Sequence, residues 1–391
     1  MHPLSLRLLA LPAVFLLATT SGLSGQSVMR SALHDYRLVT VVEGMVQPWS
    51  MAFLPGGDML ITERPGRLRI LRNGKLLPQP VEGVPQVFTG NSQAGLLEVA
   101  LHPNFAENRM LYLTFSKAQA DKQSTTALVR GRFENDRLTN VEPLFESVSR
   151  GRGHYGGKIA FDGNGFLFLT LGDRQVPPEG DLEKHPAQDL SNHHGKLIRL
   201  HDDGRVPADN PFVKTPGAKP EIWSYGHRNV QGIAIHPSTG DVWADEHGPQ
   251  GGDELNRILP GKNYGWPVIG YGVNYTTGKA IHAGTMREAM EQPAHIWVPS
   301  IGISGAMIYT GDHFPQWKGS LFVGGMVGER LDRLTLHGTS VTGKETLVPG
   351  MGRIRDVRQG LDGYIYLAIE DSDAKPTPIY RLEPVERTTV R

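Results

Sequence analysis

The sequence predicts an all-β fold, a six-bladed β-propeller built from four-stranded antiparallel blades. Two short strand-like elements recur along the chain, each six times and in strict alternation. Glycine and proline are abundant, with 47 and 28 of the 391 residues, which favours a fold with many tight turns over a helical bundle. Units of short strands and turns that repeat about every 60 residues are typical of propeller blades.

The first recurring element is a turn followed by a short alternating strand. Its six copies begin at Gly56, Glu107, Gly163, Thr239, Lys318 and Asp362. The second element is an arginine followed by a large apolar residue in a short strand. Its six copies are Arg69-Ile70, Arg132-Phe133, Arg199-Leu200, Arg257-Ile258, Arg333-Leu334 and Arg381-Leu382. A pair of β-sandwiches is the alternative fold, but it gives no reason for an ordered, paired repeat.

Three stretches lie outside this repeat, and one of them contains a candidate helix. Residues 36–42 alternate ahead of the first blade, and we expect them to complete the last blade and so close the ring. Residues 283–292 are a candidate for a short amphipathic helix. Insertions at residues 175–193 and 265–299 lengthen two of the repeats. Long loops on a rigid scaffold are where we expect a propeller to place its chemistry.

The first 25 residues predict an export signal that is removed from the mature protein. His2 and Arg7 form a short positive region, residues 8–18 are almost wholly apolar, and small residues lead to a cleavage point near Gly25. A transmembrane anchor is the alternative, but the apolar run is too short for a stable span. We therefore expect a single propeller domain over residues 26–391, located in the periplasm or secreted. The absence of cysteine excludes disulfides and lipidation at a cysteine.

The charge balance and several missing motifs exclude other functions. Lysine plus arginine and aspartate plus glutamate each number 40, so the net charge is zero. Binding to nucleic acid or to an anionic membrane needs a basic surplus, and neither is expected as a partner. The sequence has no dinucleotide-binding glycine motif after a strand, no Walker A loop and no nucleophile elbow.

His154 is the first candidate for chemistry. It lies in the segment GRGHYGG, where flanking glycines leave little side-chain bulk around one imidazole and would let the main chain approach a ligand. Histidine is the usual general base near neutral pH. Asp173 ends the following strand and could orient the ring through a hydrogen bond. An ordinary histidine in a turn is the alternative interpretation.

Arginines supply the second set of candidates. Arg228 and Asn229 lie between a glycine-containing turn and a strand, where the planar guanidinium suits a carboxylate or a developing oxyanion. Arg353 and Arg355 are two residues apart on a predicted strand, so both should point to one face and suit a polyanionic ligand. Gln93, ahead of another strand, is a weaker candidate. Exposed turn or edge residues are the alternative in each case.

Carboxylates in the segment ADEHGPQGGDELN supply a third candidate. Asp245, Glu246, Asp253 and Glu254 lie among glycines and a proline there, and carboxylates with free loop carbonyls are the ligands that Ca²⁺ prefers. Zinc is disfavoured because cysteine is absent and the histidines lack ligand spacing. A solvated acidic turn is the alternative.

Taken together and in this order, the segments resemble those of the soluble sugar dehydrogenases that depend on pyrroloquinoline quinone (PQQ). That family includes soluble glucose dehydrogenase and the periplasmic aldose sugar dehydrogenases. The resemblance runs from about residue 47 to residue 384 and is carried by QAGLL, GHRN, E-x-GP, NYGWP and the RIRDV run. The family fold is a six-bladed propeller, in agreement with the repeat count.

The resemblance implies a role for each candidate. His154 resembles the catalytic base and Asp173 its orienting partner. The implied PQQ contacts are Gln93, Arg228, Asn229, Arg353 and Arg355. Gly248 and Pro249 match a loop whose carbonyls bind the Ca²⁺ beside PQQ, whereas Glu254 and Tyr264 match a second, structural Ca²⁺ site.

Two departures separate the chain from soluble glucose dehydrogenase. A lysine that contacts PQQ there would fall near Met326-Val327, where the chain has none. The residue before the candidate base is Gly153, where glucose dehydrogenase has an acid. Both departures favour the broader aldose group.

The reaction implied by the resemblance is oxidation of an aldose to a lactone. His154 would take the proton of the anomeric hydroxyl while hydride passes to PQQ, with Ca²⁺ and Arg228 stabilising the charge that develops. Electrons would then pass to an external acceptor, and the protein would be a monomer or a homodimer. A Ca²⁺-dependent lactonase-type hydrolase and a propeller that only binds a partner are the alternative functions.

Overall fold

The fold is a ring of six antiparallel sheets. The structure, a computed structural model, describes residues 27–386. Within that range 24 strands form six four-stranded sheets, and hydrogen-bonded neighbours in every sheet run antiparallel. The predicted signal peptide, residues 1–25, lies outside the described residues. The all-β six-bladed prediction is confirmed.

The strands are numbered in chain order, and strand β1 (Asp35–Val46) precedes the first blade. Blades 1 to 3 contain β2 (Pro48–Phe53), β3 (Met59–Glu63), β4 (Arg67–Arg72), β5 (Lys75–Leu76); β6 (Leu96–Leu101), β7 (Met110–Ala118), β8 (Ser124–Glu134), β9 (Arg137–Glu146); and β10 (Ile159–Phe161), β11 (Phe166–Leu171), β12 (Lys196–His201), β13 (Ile222–Tyr225).

Blades 4 to 6 follow the same order, except that the last blade takes its outer strand from the start of the chain. They contain β14 (Val230–Ile235), β15 (Val242–Glu246), β16 (Asp253–Ile258), β17 (His295–Trp297); β18 (Ile303–Ile308), β19 (Leu321–Gly325), β20 (Arg330–His337), β21 (Ser340–Leu347); and β22 (Arg353–Gln359), β23 (Ile365–Glu370), β24 (Pro376–Val385), with β1. The described helices are single turns at Phe105–Asn108, Ala120–Lys122, Leu182–Lys184, Pro186–Gln188 and Pro315–Trp317.

The two recurring sequence elements correspond to the middle strands of every blade. The alternating element forms the second strand, and the arginine-apolar pair lies in the third. The first strand of each blade contacts the first strand of the next, from β2 through β6, β10, β14 and β18 to β22 and back to β2. The ring is therefore closed around an axis lined by first strands.

The predicted helix at residues 283–292 is wrong. The segment consists of turns and isolated bridges. The Ala283 N–H donates to the Val268 carbonyl and the Glu291 N–H to the Asn263 carbonyl, so donors that a helix would use internally bind a neighbouring loop. Contacts with that loop outweigh the local helical pattern.

Strand β1 closes the ring, as predicted for residues 36–42, and extends the pairing further. It pairs with β24 from Asp35 opposite Val385 to Val46 opposite Pro376. Tyr36 is buried against blades 5 and 6, and its hydroxyl accepts a hydrogen bond of 3.0 Å from the Val348 N–H. This pairing gives the last blade its fourth strand and joins the two ends of the described chain in one sheet.

No helix among residues 27–386 is long and apolar enough to cross a membrane.

Replacing Tyr36 with phenylalanine tests the closure. The change removes the acceptor of the buried Val348 N–H. We therefore expect the free energy of unfolding, measured by urea denaturation, to fall by about 1–3 kcal/mol. Tyr380→Phe on β24 is the matched control, because its half-buried hydroxyl makes no hydrogen bond within the described part of the chain. Equal stability of the two variants would contradict the assigned role.

Candidate active site

A cavity of about 480 Å³ lies at one end of the propeller axis. Two kinds of loop form it: those that lead into first strands and those that follow second strands. In an antiparallel blade the first strand begins and the second strand ends at the same end of the sheet, so both kinds of loop lie together. The lining residues include Arg64, Gln93, His154, Gln175, Arg228, Asn229, Gln231, His247, Met326, Val327, Arg353, Arg355 and Glu370.

The cavity brings together six of the candidates singled out in the sequence. They are Gln93, His154, Arg228, Asn229, Arg353 and Arg355. Asp173 lies behind His154 and lines an adjoining groove of about 250 Å³ that also contacts His154 and Arg228. Candidates from four blades thus meet at one place, although they are up to 262 positions apart in the sequence.

His154 and Asp173 form a buried pair. His154 Nδ1 lies 2.6 Å from Asp173 Oδ1, and the two residues are 8% and 1% exposed. Because an ionised carboxylate only accepts, the proton must lie on Nδ1, which leaves Nε2 as the basic nitrogen. His154 has a positive φ of 45°, and its N–H donates to Gln93 Oε1 at 2.7 Å. Gln93 therefore holds the main chain of the candidate base.

The electrostatics of the pair keep the imidazole neutral. Burial lowers the pKa of His154 below its ordinary value, Asp173 opposes this shift, and the nearby charge of Arg228 adds to it. Burial on its own would raise the pKa of Asp173, but the interaction with the His154 ring, including their hydrogen bond, and the charge of Arg228 hold that pKa below the usual range. A neutral imidazole oriented by a carboxylate has the form that a general base requires.

Two further donors fix the Asp173 carboxylate. Trp266 Nε1 donates to Asp173 Oδ2 at 2.8 Å, and the Gln175 N–H donates to Oδ1 at 2.9 Å. The Asp173 N–H in turn donates to the Arg228 carbonyl at 2.8 Å. We assigned no role to Trp266 from the sequence, although it belongs to the NYGWP segment.

The glycines around His154 serve a different purpose from the one expected. A Cβ added at Gly153 would lie 2.4 Å from Gln175 Cδ, and one at Gly156, where φ is +62°, would lie 2.5 Å from the Thr170 carbonyl oxygen. The space beside these residues is filled by the protein itself. Glycine here lets the loop pack against the end of blade 3.

Arg228 and Asn229 are held by main-chain and side-chain contacts. The Arg228 N–H donates to Glu246 Oε2 at 2.6 Å and its Nη1 to the His247 carbonyl at 3.2 Å. Its guanidinium carbon lies 5.2 Å from the centre of the Trp266 ring. Asn229 Oδ1 accepts hydrogen bonds from the Gly156 N–H and from the Gln231 side chain.

Four arginines line the cavity, one more than the sequence indicated. Arg353 and Arg355 both face it, as predicted, and Arg64 joins them from blade 1. Glu370 binds Arg355 through one carboxylate oxygen and Arg64, at 3.2 Å, through the other. Burial lowers the pKa of Arg64, and repulsion by Arg353 and Arg355 contributes to the shift. The cavity is therefore strongly cationic.

Sequence reasoning missed Arg64, His247, Gln231 and Glu370. Arg64, His247 and Glu370 lie at or just after the end of a second strand, the position that Asp173 also occupies in blade 3. Superposing the six repeats would have identified that position as one that faces the site. Gln231 carries no comparable signal, because it lies inside a first strand.

The predicted metal residues line a separate, small cavity. Gly248, Pro249, Glu254 and Tyr264 surround about 20 Å³ of free space together with Glu246. Burial, together with the charge of Glu246, which is its register partner on β15, raises the pKa of Glu254 to about 8. Two buried carboxylates that repel each other suit a bound cation.

Only part of this set is available to a cation. The Tyr264 hydroxyl donates to the Arg257 carbonyl at 2.7 Å and accepts from the Leu259 N–H, so Tyr264 could contribute only its main-chain carbonyl. Within residues 27–386 no group of three or more His, Cys, Asp or Glu side chains is arranged to hold a metal ion. A cation at either predicted site would therefore depend on main-chain oxygens.

The loop that carries Gly248 and Pro249 is anchored by Asp253. One carboxylate oxygen of Asp253 accepts from the Gly248 N–H at 3.0 Å, and the other accepts from the N–H groups of Ile301, Gly302 and Ile303. This side chain ties the loop of blade 4 to the start of blade 5.

Comparison with known proteins places this chain in a family. The family model for glucose / sorbosone dehydrogenase matches residues 45–381. Aldose sugar dehydrogenase YliI of Escherichia coli is 42% identical over 336 residues, which cover 84% of this chain and 88% of the relative.

Solved structures support the same family assignment. The apo-form of the soluble aldose sugar dehydrogenase of E. coli superposes with a TM-score of 0.83 at 39% identity, covering 90% of this chain and all of the other. The PQQ-bound form of the aldose sugar dehydrogenase of Streptomyces coelicolor superposes with a TM-score of 0.73 at 28% identity, covering 90% of this chain and 98% of the other. The chain is therefore a dehydrogenase of the glucose / sorbosone dehydrogenase family.

Proposed function

We propose that this protein oxidises aldose sugars at the anomeric carbon to lactones, with PQQ and Ca²⁺ as cofactors and an external acceptor for the electrons. One observation carries the proposal: the His154–Asp173 pair opens onto a cavity lined by four arginines. The pair supplies a base, and the arginines supply a receptor for an anionic cofactor.

The cavity fits PQQ, which carries three carboxylates. Its volume of about 480 Å³ lies in the range of roughly 300–1,000 Å³ that is usual for small-ligand pockets. The buried Nε atoms of Arg64, Arg228 and Arg353 have no hydrogen-bond partner within the described residues. Guanidinium groups with free donors bind planar carboxylates well. Gln93, Asn229 and Arg355 complete the set of residues that would hold the cofactor.

Each residue of the site then has a separate role in the oxidation. When bound, PQQ would supply the quinone that accepts the hydride leaving the anomeric carbon. His154 Nε2 takes the proton of the anomeric hydroxyl, so the sugar loses a proton and a hydride and becomes a lactone. Asp173 holds the imidazole in the required tautomer. Arg228 stabilises the negative charge that develops next to it.

Calcium has two proposed sites. The main-chain carbonyls of Gly248 and Pro249 would hold one ion near the cofactor, since their only side-chain contacts among the described residues are long, 3.4 Å from the hydroxyls of Tyr275 and Ser300. Glu254, with the Tyr264 carbonyl, would hold a second ion that stabilises the fold. Calcium prefers such mixtures of carboxylate and carbonyl oxygens.

The proposed location is the periplasm or the exterior, on the basis of the apolar segment at residues 8–18. The aldose substrate follows from the relatives, which include quinoprotein glucose dehydrogenase B of Acinetobacter calcoaceticus, 28% identical over 59% of this chain and 52% of the relative.

The lactonase alternative is less well supported. A metal-dependent hydrolase of this kind needs several Asp, Asn and Glu side chains around a metal-bound water. The main cavity has one carboxylate in its lining, Glu370, and two arginines already bind it. A propeller that only binds a partner would have no use for the buried His154–Asp173 pair.

Reconstitution tests the proposal. The purified protein is incubated with PQQ and Ca²⁺, and reduction of a redox dye is followed with a panel of aldoses. Dye reduction that requires PQQ, together with lactone formation, is expected. Absence of both PQQ binding and dye reduction would refute the proposal, and lactone hydrolysis without PQQ would favour the hydrolase.

His154→Ala should retain PQQ binding and lose most turnover. General base catalysis contributes about 10²- to 10⁴-fold, so kcat should fall by a factor in that range. His201→Ala is the control, because His201 ends β12 at the edge of blade 3 remote from the cavity. Persistence of turnover in His154→Ala would show that the base is assigned wrongly.

The imidazole of His154 should titrate below its ordinary pKa of 6.5 in the ligand-free protein, because burial and Arg228 disfavour its charged form. The neutral base is therefore present above that pKa and is lost as the pH falls through it. Histidine ring NMR, assigned with His154→Ala, measures the midpoint. A midpoint at or above 6.5 would contradict this electrostatic account.

Calcium should stabilise the wild-type protein but have less effect on Glu254→Gln. At a concentration 100-fold above its Kd, an ion that binds only the folded state adds about 2.7 kcal/mol. In calcium-free buffer Glu254→Gln should equal or exceed the wild type in melting temperature, because the cost of burying a carboxyl group next to Glu246 is removed. Glu345→Gln, whose carboxylate binds Arg333 in blade 5, should respond to calcium like the wild type. A normal calcium response in Glu254→Gln would exclude Glu254 as a ligand.

A further inference from the structure

Trp266 contacts both groups to which the proposed function gives chemical roles. Its Nε1 donates to Asp173 Oδ2 at 2.8 Å, and its ring faces the guanidinium of Arg228 at 5.2 Å. The side chain is 6% exposed and lies in the wall of the groove next to His154. One rigid side chain therefore connects the carboxylate behind the base with the cation beside it.

The main chain of Trp266 is fixed from two directions. Its N–H donates to the Gly226 carbonyl at 2.8 Å, and its carbonyl accepts from Gln188 Nε2 at 2.7 Å. His185 and His282 meet the indole edge-on, with ring centres 6.2 Å and 5.6 Å away. The two long insertions of the sequence, residues 175–193 and 265–299, thus converge on this residue.

The hydrogen bond has a directional consequence for the base. Asp173 Oδ1 accepts from His154 and from the Gln175 N–H, whereas among the described residues Trp266 is the donor to Oδ2. A carboxylate held at both oxygens cannot rotate, so the imidazole bound to it keeps one orientation. Each donor also makes the carboxylate less basic and so limits how strongly it stabilises a protonated imidazole.

The ring contact has a consequence for the cation. A guanidinium over an indole face is attracted by the negative charge of the ring face. In addition to this attraction, Nη1 of Arg228 binds the His247 carbonyl. Without the aromatic face, the Arg228 guanidinium would keep its hydrogen bond to the His247 carbonyl but lose its contact with the indole ring.

We infer that Trp266 is a positioning residue for the proposed oxidation, which holds the Asp173 carboxylate and the Arg228 guanidinium at a fixed separation so that base and cation act on the same substrate. The inference rests on the proposed function for the roles of these two groups. It assigns Trp266 no contact with the reacting atoms.

Two substitutions separate the two contacts. Trp266→Phe keeps an aromatic face for Arg228 and removes only the N–H donor, whereas Trp266→Leu removes both. Trp297→Phe is a closely matched control, because Trp297 is 2% exposed and its Nε1 donates to Asp332 Oδ2 at 2.8 Å on the outer side of blade 4. It makes the same chemical change at another buried aspartate.

Trp266→Phe should lower kcat while leaving the KM for the sugar and the Kd for PQQ within about threefold of the wild type. A fall on the order of 10- to 100-fold is typical when the partner that orients a functional histidine is altered. Trp266→Leu should lower kcat further and also weaken PQQ binding, measured by equilibrium dialysis, because Arg228 loses its support. Trp297→Phe should lose stability without a change in kcat.

The pH dependence gives a readout that lost stability alone would not produce. The charged and titratable groups that face His154 are Asp173, Arg228, Arg174 and His247. With one donor fewer, Asp173 becomes more basic and stabilises the protonated imidazole. The His154 ring should therefore titrate at higher pH in Trp266→Phe than in the wild type, by NMR of the ligand-free protein. Trp297→Phe should titrate like the wild type.

The outcomes distinguish the inference from the proposed function. A wild-type protein that neither binds PQQ nor oxidises sugars refutes the function, while the NMR titration still tests the Asp173 contact. A functional wild type with an unchanged kcat and an unchanged titration in Trp266→Phe overturns the inference. A shift of equal size in Trp297→Phe overturns it as well, because the effect would then come from general destabilisation.

Discussion

The pairing of β1 with β24 is the constraint on which the rest of the structure depends. It makes blade 6 a complete sheet and brings that blade against blade 1. Across this junction Arg64 binds Glu370, and the Met51 N–H donates to Asp356 at 3.0 Å. If the ring were open, Arg64 would lie far from the arginines of β22. The cationic cavity is thus a product of closure as well as of sequence.

Closure also concentrates charge in the axis of the ring. Lys158 lies 2.8 Å from Asp356 and 3.2 Å from Glu98, and Arg358 binds both carboxylates. Buried charges are tolerated only when they are paired in this way. The cavity above contrasts with this arrangement, because its lining has four arginines and one carboxylate, Glu370, which binds two of them. Such an imbalance is costly in the free protein and favourable once an anion is bound, as expected of a binding site.

The sequence predicted the middle of each blade well and its flanks poorly. Second and third strands have regular turns and apolar patterns, whereas first strands carry charged residues such as Glu98 and Asp356 that form ion pairs in the axis. The outer strand β5 has only two residues and β17 only three, too few for a pattern. Residues 283–292 have a helical pattern locally, but their hydrogen bonds are to another loop, which no local signal reveals.

The site was predictable to the extent that its residues belong to recognisable segments. His154, Arg228 and Arg353 were found in this way, and their convergence follows from the topology. Arg64 and Trp266 were not found, because their importance depends on partners 306 and 93 positions away. The position of Arg64 after a second strand is a signal that comparing the repeats would reveal, whereas neither spacing nor composition reveals the contact of Trp266.

The arginines and the base are electrostatically linked. In the free protein Arg228 disfavours a proton on His154, while Asp173 favours it. An anion bound among the arginines offsets part of the effect of Arg228, so His154 becomes a stronger base when the cavity is filled. The imidazole then stays neutral but gains proton affinity at the stage when a substrate hydroxyl is present. Under the proposed function, Arg228 would thereby both contact the cofactor and tune the candidate base His154.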